Sequence, residues 1–232
     1  MKLAALLPAI ALATAVSAAN VHVRASENMI EVGDLDIFAH TWAAIYAAAG
    51  NKEAVNIDTS ISTQNKRCHY NNHADHSVRV QISGKWDDVN GNQHQIRDAM
   101  VEAAWESLKR ISNNHQYPIW KGCCDGPIQD HCPSPRPAGW CGGANACGCP
   151  GNPAGICMTQ SRGHSIPSSI QVSVNRNGLV TGNELRIEFS GAPITKSGCG
   201  VVEAIAKGLA SFIFPPAVGA IVGTGIDVQC AL

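Results

Sequence analysis

Apolar and polar residues alternate along the chain with two different periods. Residues 34 to 49 place apolar side chains at the helical period of 3.6, and Asp34 and Gly50 are suited to begin and end a helix. Residues 55 to 63 alternate with a period of two, which predicts a half-buried strand. The apolar stripe of the predicted helix consists of Leu35, Phe38, Trp42, Ile45, Tyr46 and Ala49.

Both patterns recur later in the chain. Residues 93 to 112 have helical periodicity, and residues 78 to 83, 170 to 174 and 185 to 189 alternate as strands. An Asn-Gly turn at 177–178 separates the last two strands and predicts that they are antiparallel neighbours. The side of the second helix that faces the core is predicted to contain Ile96, Met100, Ala104, Leu108 and Ile111.

A long stretch without periodicity divides these elements. Residues 118 to 167 contain eight of the twelve prolines and seven of the ten cysteines. Proline interrupts helices and central strands, so this stretch is predicted to be an irregular loop subdomain held by disulfides. The whole pattern predicts an α+β fold, in which an antiparallel sheet is covered by helices and the disulfide-stapled loop subdomain is attached to it.

The first nineteen residues have the features of a signal peptide. Lys2 precedes an apolar run, and small residues end at Ala19. The run of about 14 residues is shorter than a membrane span requires. We therefore expect cleavage after Ala19 and a secreted, extracellular protein.

The expected export also predicts the oxidation state of the cysteines. An even set of ten thiols that enters an oxidising compartment predicts that all are paired in disulfides. The adjacent Cys123 and Cys124 cannot bond each other without strain, and the C-x-C spacing is not that of a structural zinc site. The ten residues are Cys68, Cys123, Cys124, Cys132, Cys141, Cys147, Cys149, Cys157, Cys199 and Cys230.

A dibasic pair, Lys66 and Arg67, lies directly before the first cysteine. Residues 20 to 67 contain no cysteine, as expected of a pro-segment that a protease removes after Arg67. The helix and strand patterns in the same segment favour its retention in the fold. The chain thus divides into a signal peptide at 1–19, a helix-strand segment at 20–67 and a disulfide-rich α+β domain at 68–232.

The segment near the C-terminus is unusually apolar. Residues 208 to 226 contain no charge, which approaches the length of a membrane span. Pro215 and Pro216 interrupt it, so a core helix from about 200 to 214 followed by a buried apolar segment is the favoured interpretation. Membrane insertion and a removed lipid-anchor signal are the alternatives.

Catalytic signals are few. His69, His73 and His76 lie in one loop with Asp75, and histidines at this density can hold zinc or copper. No H-E-x-x-H or G-x-S-x-G pattern accompanies them, so a polar, solvated loop is the favoured interpretation and no cofactor is predicted. A non-enzymatic protein is favoured over an enzyme.

The charge balance excludes one class of partner. Lys and Arg number 17 and Asp and Glu 18, giving a net charge of −1. Without a basic excess the chain lacks the electrostatic basis for capturing nucleic acid. No nucleic-acid partner is predicted.

In outline the chain resembles the secreted killer toxins and cysteine-rich effectors of fungi. The resemblance rests on the ten cysteines, on Lys66-Arg67 as a kexin-type processing site, and on the strand pair at 170–174 and 185–189. It implies a toxin or virulence effector that acts on another cell, by binding an unknown target protein or by perturbing a membrane. The alternative is a small secreted hydrolase or metalloprotein that uses the His69–His76 loop.

Overall fold

A computed structural model describes residues 19–65, 68–69, 74–87, 93–121, 159–176, 179–197 and 226–231. These residues form mostly β-strand, with two helical segments. The strands are β1 Ala19–Ser26, β2 Asn28–Gly33, β3 Ala54–Thr63, β4 Cys68–His69, β5 His76–Lys85, β6 Gln116–Lys121, β7 Thr159–Pro167, β8 Ser169–Arg176, β9 Leu179–Ser190, β10 Ala192–Ser197 and β11 Ile226–Ala231. The helices are α1 Ala44–Ala49, which continues a π-helical stretch at Ala39–Ala43, and α2 Gln93–Asn114.

The strands form two sheets. The six-stranded sheet has the order β11-β1-β8-β9-β5-β3, and the five-stranded sheet has the order β10-β2-β7-β6-β4. Neighbours are antiparallel except for β11 beside β1 and β4 beside β6, which are parallel. Both sheets are therefore mixed, and the prediction of a purely antiparallel sheet is wrong, because β11 returns alongside β1 in the same direction.

Three connections of one residue each join the sheets at a common corner. β1 passes into β2 through Glu27, β7 into β8 through Ser168, and β9 into β10 through Gly191. The Ser168 N–H donates to the Asn28 carbonyl at 2.8 Å, and the Phe189 N–H donates to the Ser168 carbonyl at 2.8 Å. These bonds hold the three bends together.

The core lies on one side of the six-stranded sheet. Alternate residues of β1, β5, β8 and β9 are buried, as period two requires, and α2 contacts β1, β7, β8 and β9. The predicted apolar side of α2 is confirmed, since all five of its residues are buried. The buried residues of the four strands are Ala19, Val21, Val23, Ala25, Val78, Val80, Ile82, Ile170, Val172, Val174, Leu185, Ile187 and Phe189.

The four predicted strands at 55–63, 78–83, 170–174 and 185–189 are all present. β8 pairs antiparallel with β9, as predicted. β3 pairs antiparallel with β5, a pairing that the sequence analysis did not predict. The sequence analysis did not predict the remaining strands in the described part of the chain. Several of them, including β4, β10 and β11, are six residues or shorter and too brief for a clear alternation.

The first helix begins later than predicted. The Asp34 carboxylate accepts a hydrogen bond from the Gln64 N–H at 2.8 Å, which ties the end of β2 to the end of β3. Asp36 takes the capping role instead, because its carboxylate accepts the Ala39 N–H at 2.9 Å. The predicted end is confirmed: Gly50 has a φ of 50°, which glycine adopts without strain.

The predicted irregular loop at 118–167 is wrong at both ends. β6 contains Pro118 and pairs antiparallel with β7, which ends at Pro167. Proline is tolerated in β6 because its other neighbour, β4, pairs only with Trp120 and Lys121. Residues 122–158, with the seven clustered cysteines, lie outside the described residues.

Other predictions also fall on residues that the structure does not describe. These are the apolar signal segment before Ala19, the dibasic Lys66 and Arg67, and the apolar C-terminal segment. Ala19 itself is the first residue of β1 and is fully buried. Across the described ranges, no helix is both long and apolar enough to cross a membrane.

Candidate functional site

The two helical segments bring four aromatic side chains together. Phe38, Trp42 and Tyr46 follow each other at intervals of four along the first segment, and Trp105 lies on α2. The rings of Phe38 and Trp42 stack with centroids 4.9 Å apart, and Trp105 meets Phe38 edge-on at 5.0 Å. Tyr46 continues the row, 4.5 Å from Trp42. We refer to these four residues as the aromatic surface.

Phe38 is the most exposed member of this surface. Phe38 is 42% exposed, more than any other large hydrophobic residue in the described part of the chain. A single exposed apolar residue is ordinary on a soluble protein. Phe38 is different because it continues into a row of half-buried rings, and a contiguous apolar patch is typical of an interaction site.

Polar contacts fix the orientation of the rings. The Trp42 indole N–H donates to the Glu102 carboxylate at 2.9 Å. The Arg97 guanidinium lies 4.8 Å from the centre of the Tyr46 ring. The Nε–H of Arg97 also donates to the Asp98 carboxylate at 2.9 Å, and one of its terminal N–H groups donates to the Gly50 carbonyl at 2.5 Å. The aromatic surface is therefore preorganised.

The Tyr46 hydroxyl is held in its neutral form. Burial raises its pKa well above the ordinary value, and the nearby carboxylates of Asp98 and Glu102 raise it further. Arg97 opposes this effect only partly. Tyr46 therefore remains a hydrogen-bond donor to Asp98 throughout the physiological pH range.

The π-helical stretch changes which members of the predicted apolar stripe are buried. The 3.6 period places Phe38 on the same stripe as Ile45 and Ala49, which are fully buried. The wider turn at Ala39–Ala43 changes the phase of the helix, and Thr41 is buried with its hydroxyl bonded to the Ile37 carbonyl at 2.5 Å. Phe38 is consequently directed to solvent, although it belongs to the predicted apolar stripe.

The loop histidines are not brought together by the described residues. His76 begins β5, while His69 is described only as a backbone partner in β4, and His73 lies outside the described residues. The Asp75 carboxylate accepts the Asn65 N–H at 2.7 Å. In the ranges that the structure describes, no three His, Cys, Asp or Glu side chains are placed to hold a metal ion.

Of the predicted disulfide cysteines, only Cys68 and Cys230 lie within the described ranges. Cys230 is disulfide-bonded and packs against the core at the end of β11. The pairing of the ten cysteines as a set stays a prediction.

A second polar cluster joins the ends of β2, β3 and β6, and the sequence analysis did not find it. The Tyr117 hydroxyl donates to the Asn65 side-chain carbonyl, and its ring lies against Gly163. A Cβ at Gly163 would stand 2.3 Å from the Tyr117 ring, so only glycine fits there. The residues of this cluster form no recognisable sequence motif, because they come from strands far apart in the chain.

His164 lies beside this cluster and has a perturbed pKa. Burial lowers the pKa below its ordinary value, and the Arg162 guanidinium acts in the same direction. The Ser112 carbonyl, 3.5 Å from Nδ1, and the Asp34 carboxylate oppose the shift without cancelling it. The folded protein therefore favours the neutral imidazole.

We expect this histidine to make stability fall with acidity. Below a pH of about 6.5 this histidine becomes protonated in the unfolded chain. In the folded chain it stays neutral until the pH is lower, so acid favours the unfolded state. Thermal unfolding across this range should show a steeper loss of Tm in the wild type than in His164→Gln. The other histidines are common to both proteins and cancel in the comparison. Equal pH dependence in the two proteins would contradict the assignment.

Neither the aromatic surface nor the polar cluster can be compared with a site in a related protein. No protein-family model, curated protein or solved structure matches the chain.

Proposed function

We propose that the chain is an exported, cysteine-rich toxin or effector that acts on another cell by binding a protein there through the aromatic surface. The main supporting observation is the exposed Phe38 ring, stacked on Trp42 and in edge contact with Trp105. Aromatic and arginine side chains dominate the binding energy of protein interfaces. Rings that are already fixed lose little entropy on binding.

Charge favours a protein target over a membrane. Asp98, Glu102 and Glu106 lie on α2 beside the rings, where Asp98 and Glu102 bond to the aromatic row and Glu106 pairs with Lys109. Asp98 and Glu106 are paired with the cations Arg97 and Lys109, so the surface beside the rings carries both signs of charge. A protein surface can match such a mixed pattern, whereas an anionic bilayer matches only the cations.

The test is the substitution Phe38→Ala. We expect it to weaken binding of the labelled protein to target cells by at least about tenfold, because a central ring is lost from the interface. Tm should change little, since Phe38 is exposed. The matched control is Arg24→Ala, which truncates another exposed side chain on the opposite, polar face of the six-stranded sheet.

Two results would contradict the proposal. One is a Phe38→Ala protein that binds target cells as tightly as the wild type. The other is leakage of anionic liposomes caused by the wild type and lost in Phe38→Ala, which would assign the aromatic surface to membranes instead.

A further inference from the structure

Among the described strands, β3 lies at one edge of the six-stranded sheet. Its ten residues pair with β5 on one side, and no described strand lies on the other. Asp58, Thr59 and Ser60, at the centre of the strand, are exposed. An edge strand of this length presents a row of N–H and C=O groups to which another strand can bond.

The hydrogen bonds to β5 show which groups face outward. The Trp86 N–H donates to the Glu53 carbonyl at 2.9 Å, and the register continues with Ala54 opposite Lys85. Opposed residues in antiparallel strands alternate between pairs that exchange hydrogen bonds and pairs that do not. The odd-numbered residues of β3 therefore bond to β5. The N–H and C=O groups of Asn56, Asp58, Ser60 and Ser62 point away from the sheet.

We propose that two copies of the chain associate through β3, antiparallel about a two-fold axis beside Thr59. This register places Ile57 opposite Ile61 of the second copy and Asp58 opposite its Ser60. The even-numbered residues of the two copies then exchange hydrogen bonds, so both open edges are satisfied and the two sheets become one.

The side chains of β3 suit this register on both faces. Ile57 and Ile61 are half-buried against the core, and each would cover the remaining exposed surface of the other across the axis. Asp58 is already paired with Arg79, with bonds of 2.8 and 2.5 Å. A register shifted by one residue pair, centred on Asp58, would instead oppose two carboxylates.

Sedimentation velocity of the full exported chain at micromolar concentration tests the proposal. We expect a dimer in the wild type. Thr59→Lys places two ammonium groups opposite each other on the axis and should raise the dimer Kd by at least about tenfold. The control Ser83→Lys adds the same charge to an exposed position on β5, which is not an edge strand, and should leave the dimer intact.

Charges at Asn56 and Ser62 test the register, because these two exposed residues oppose each other across the axis and each lies beside a neutral serine of β5 in its own chain. Asn56→Lys combined with Ser62→Lys brings ammonium groups together and should dissociate the dimer, whereas Asn56→Lys combined with Ser62→Asp brings opposite charges together and should preserve it. Circular dichroism spectra that match the wild type exclude misfolding as the cause. A monomeric wild type, or a dimer unaffected by Thr59→Lys, would overturn the proposal. Equal dissociation by both double variants would overturn the register.

Discussion

A chain that begins at Cys68 is expected to be unable to fold. The segment from 20 to 67 supplies β1, which lies between β11 and β8 in the six-stranded sheet, and β2, which lies between β10 and β7 in the other. Val21 in β1, for example, pairs with Ile226 of β11 on one side and with Val174 of β8 on the other. Removal of this segment takes an inner strand from each sheet.

The energetic consequence exceeds the stability of an ordinary domain. Each buried Val or Ile contributes about 1.5–3 kcal/mol, and β1, β2 and β3 bury several, among them Val21, Val23 and Val32. The total free energy of unfolding of a domain is only about 5–15 kcal/mol. The loss of these contacts, together with unpaired backbone groups on the five neighbouring strands β5, β7, β8, β10 and β11, therefore exceeds it.

Two measurements check this expectation. Chains 20–232 and 68–232 are compared by thermal unfolding, and only the longer one should show a cooperative transition. N-terminal sequencing of the protein purified from its producing cells and their medium should give a start at Asn20, in agreement with retention of the segment. A folded 68–232 chain, or a mature protein that starts at Cys68, would show that the segment is a removable pro-segment.

The substitution Trp86→Ala is expected to lower the free energy of unfolding by about 3–5 kcal/mol. Trp86 is fully buried, and its indole N–H donates to the Lys52 carbonyl at 2.9 Å. Truncation leaves a cavity beside Gly84 and leaves that carbonyl without its donor. In a domain of this size, Tm should fall by about 10 °C.

An aromatic truncation at the surface provides the matched control. Phe38→Ala removes a ring of similar kind from an exposed position and should change Tm by far less. Trp86→Phe should have an intermediate effect, because it keeps part of the ring but loses the bond to Lys52. Equal Tm losses for Trp86→Ala and Phe38→Ala in thermal unfolding would contradict the burial that the structure shows.

The sequence predicted elements whose pattern is local and regular. β3, β5, β8, β9 and the buried side of α2 were recognisable because five or more consecutive residues repeat a period that one buried face imposes. The turn at Asn177-Gly178 also predicted which two strands are neighbours. β2 and β10 were missed because six residues are too few for a clear alternation. β1 was missed although its eight residues alternate as regularly as those of β8.

The candidate site was predictable only in part. The spacing of Phe38, Trp42 and Tyr46 identified one stripe, and the π-helical turn then directed Phe38 to solvent. Trp105 joins it from α2, 59 positions after Tyr46, which no local pattern indicates. The polar cluster around Tyr117 and Asn65 likewise depends on the pairing of distant strands.

By itself the sequence determined the local elements, the even cysteine set and the near-neutral charge, since each depends on neighbours in the chain or on a count. Only the tertiary structure decided that β11 runs parallel to β1 and that residues 20–67 supply inner strands. It also decided that the three one-residue connections between the sheets lie at one corner. These features depend on pairing between residues up to about two hundred positions apart, such as Val21 and Ile226. Backbone hydrogen bonding is the same for every residue type, so the register is chosen by which faces are buried together.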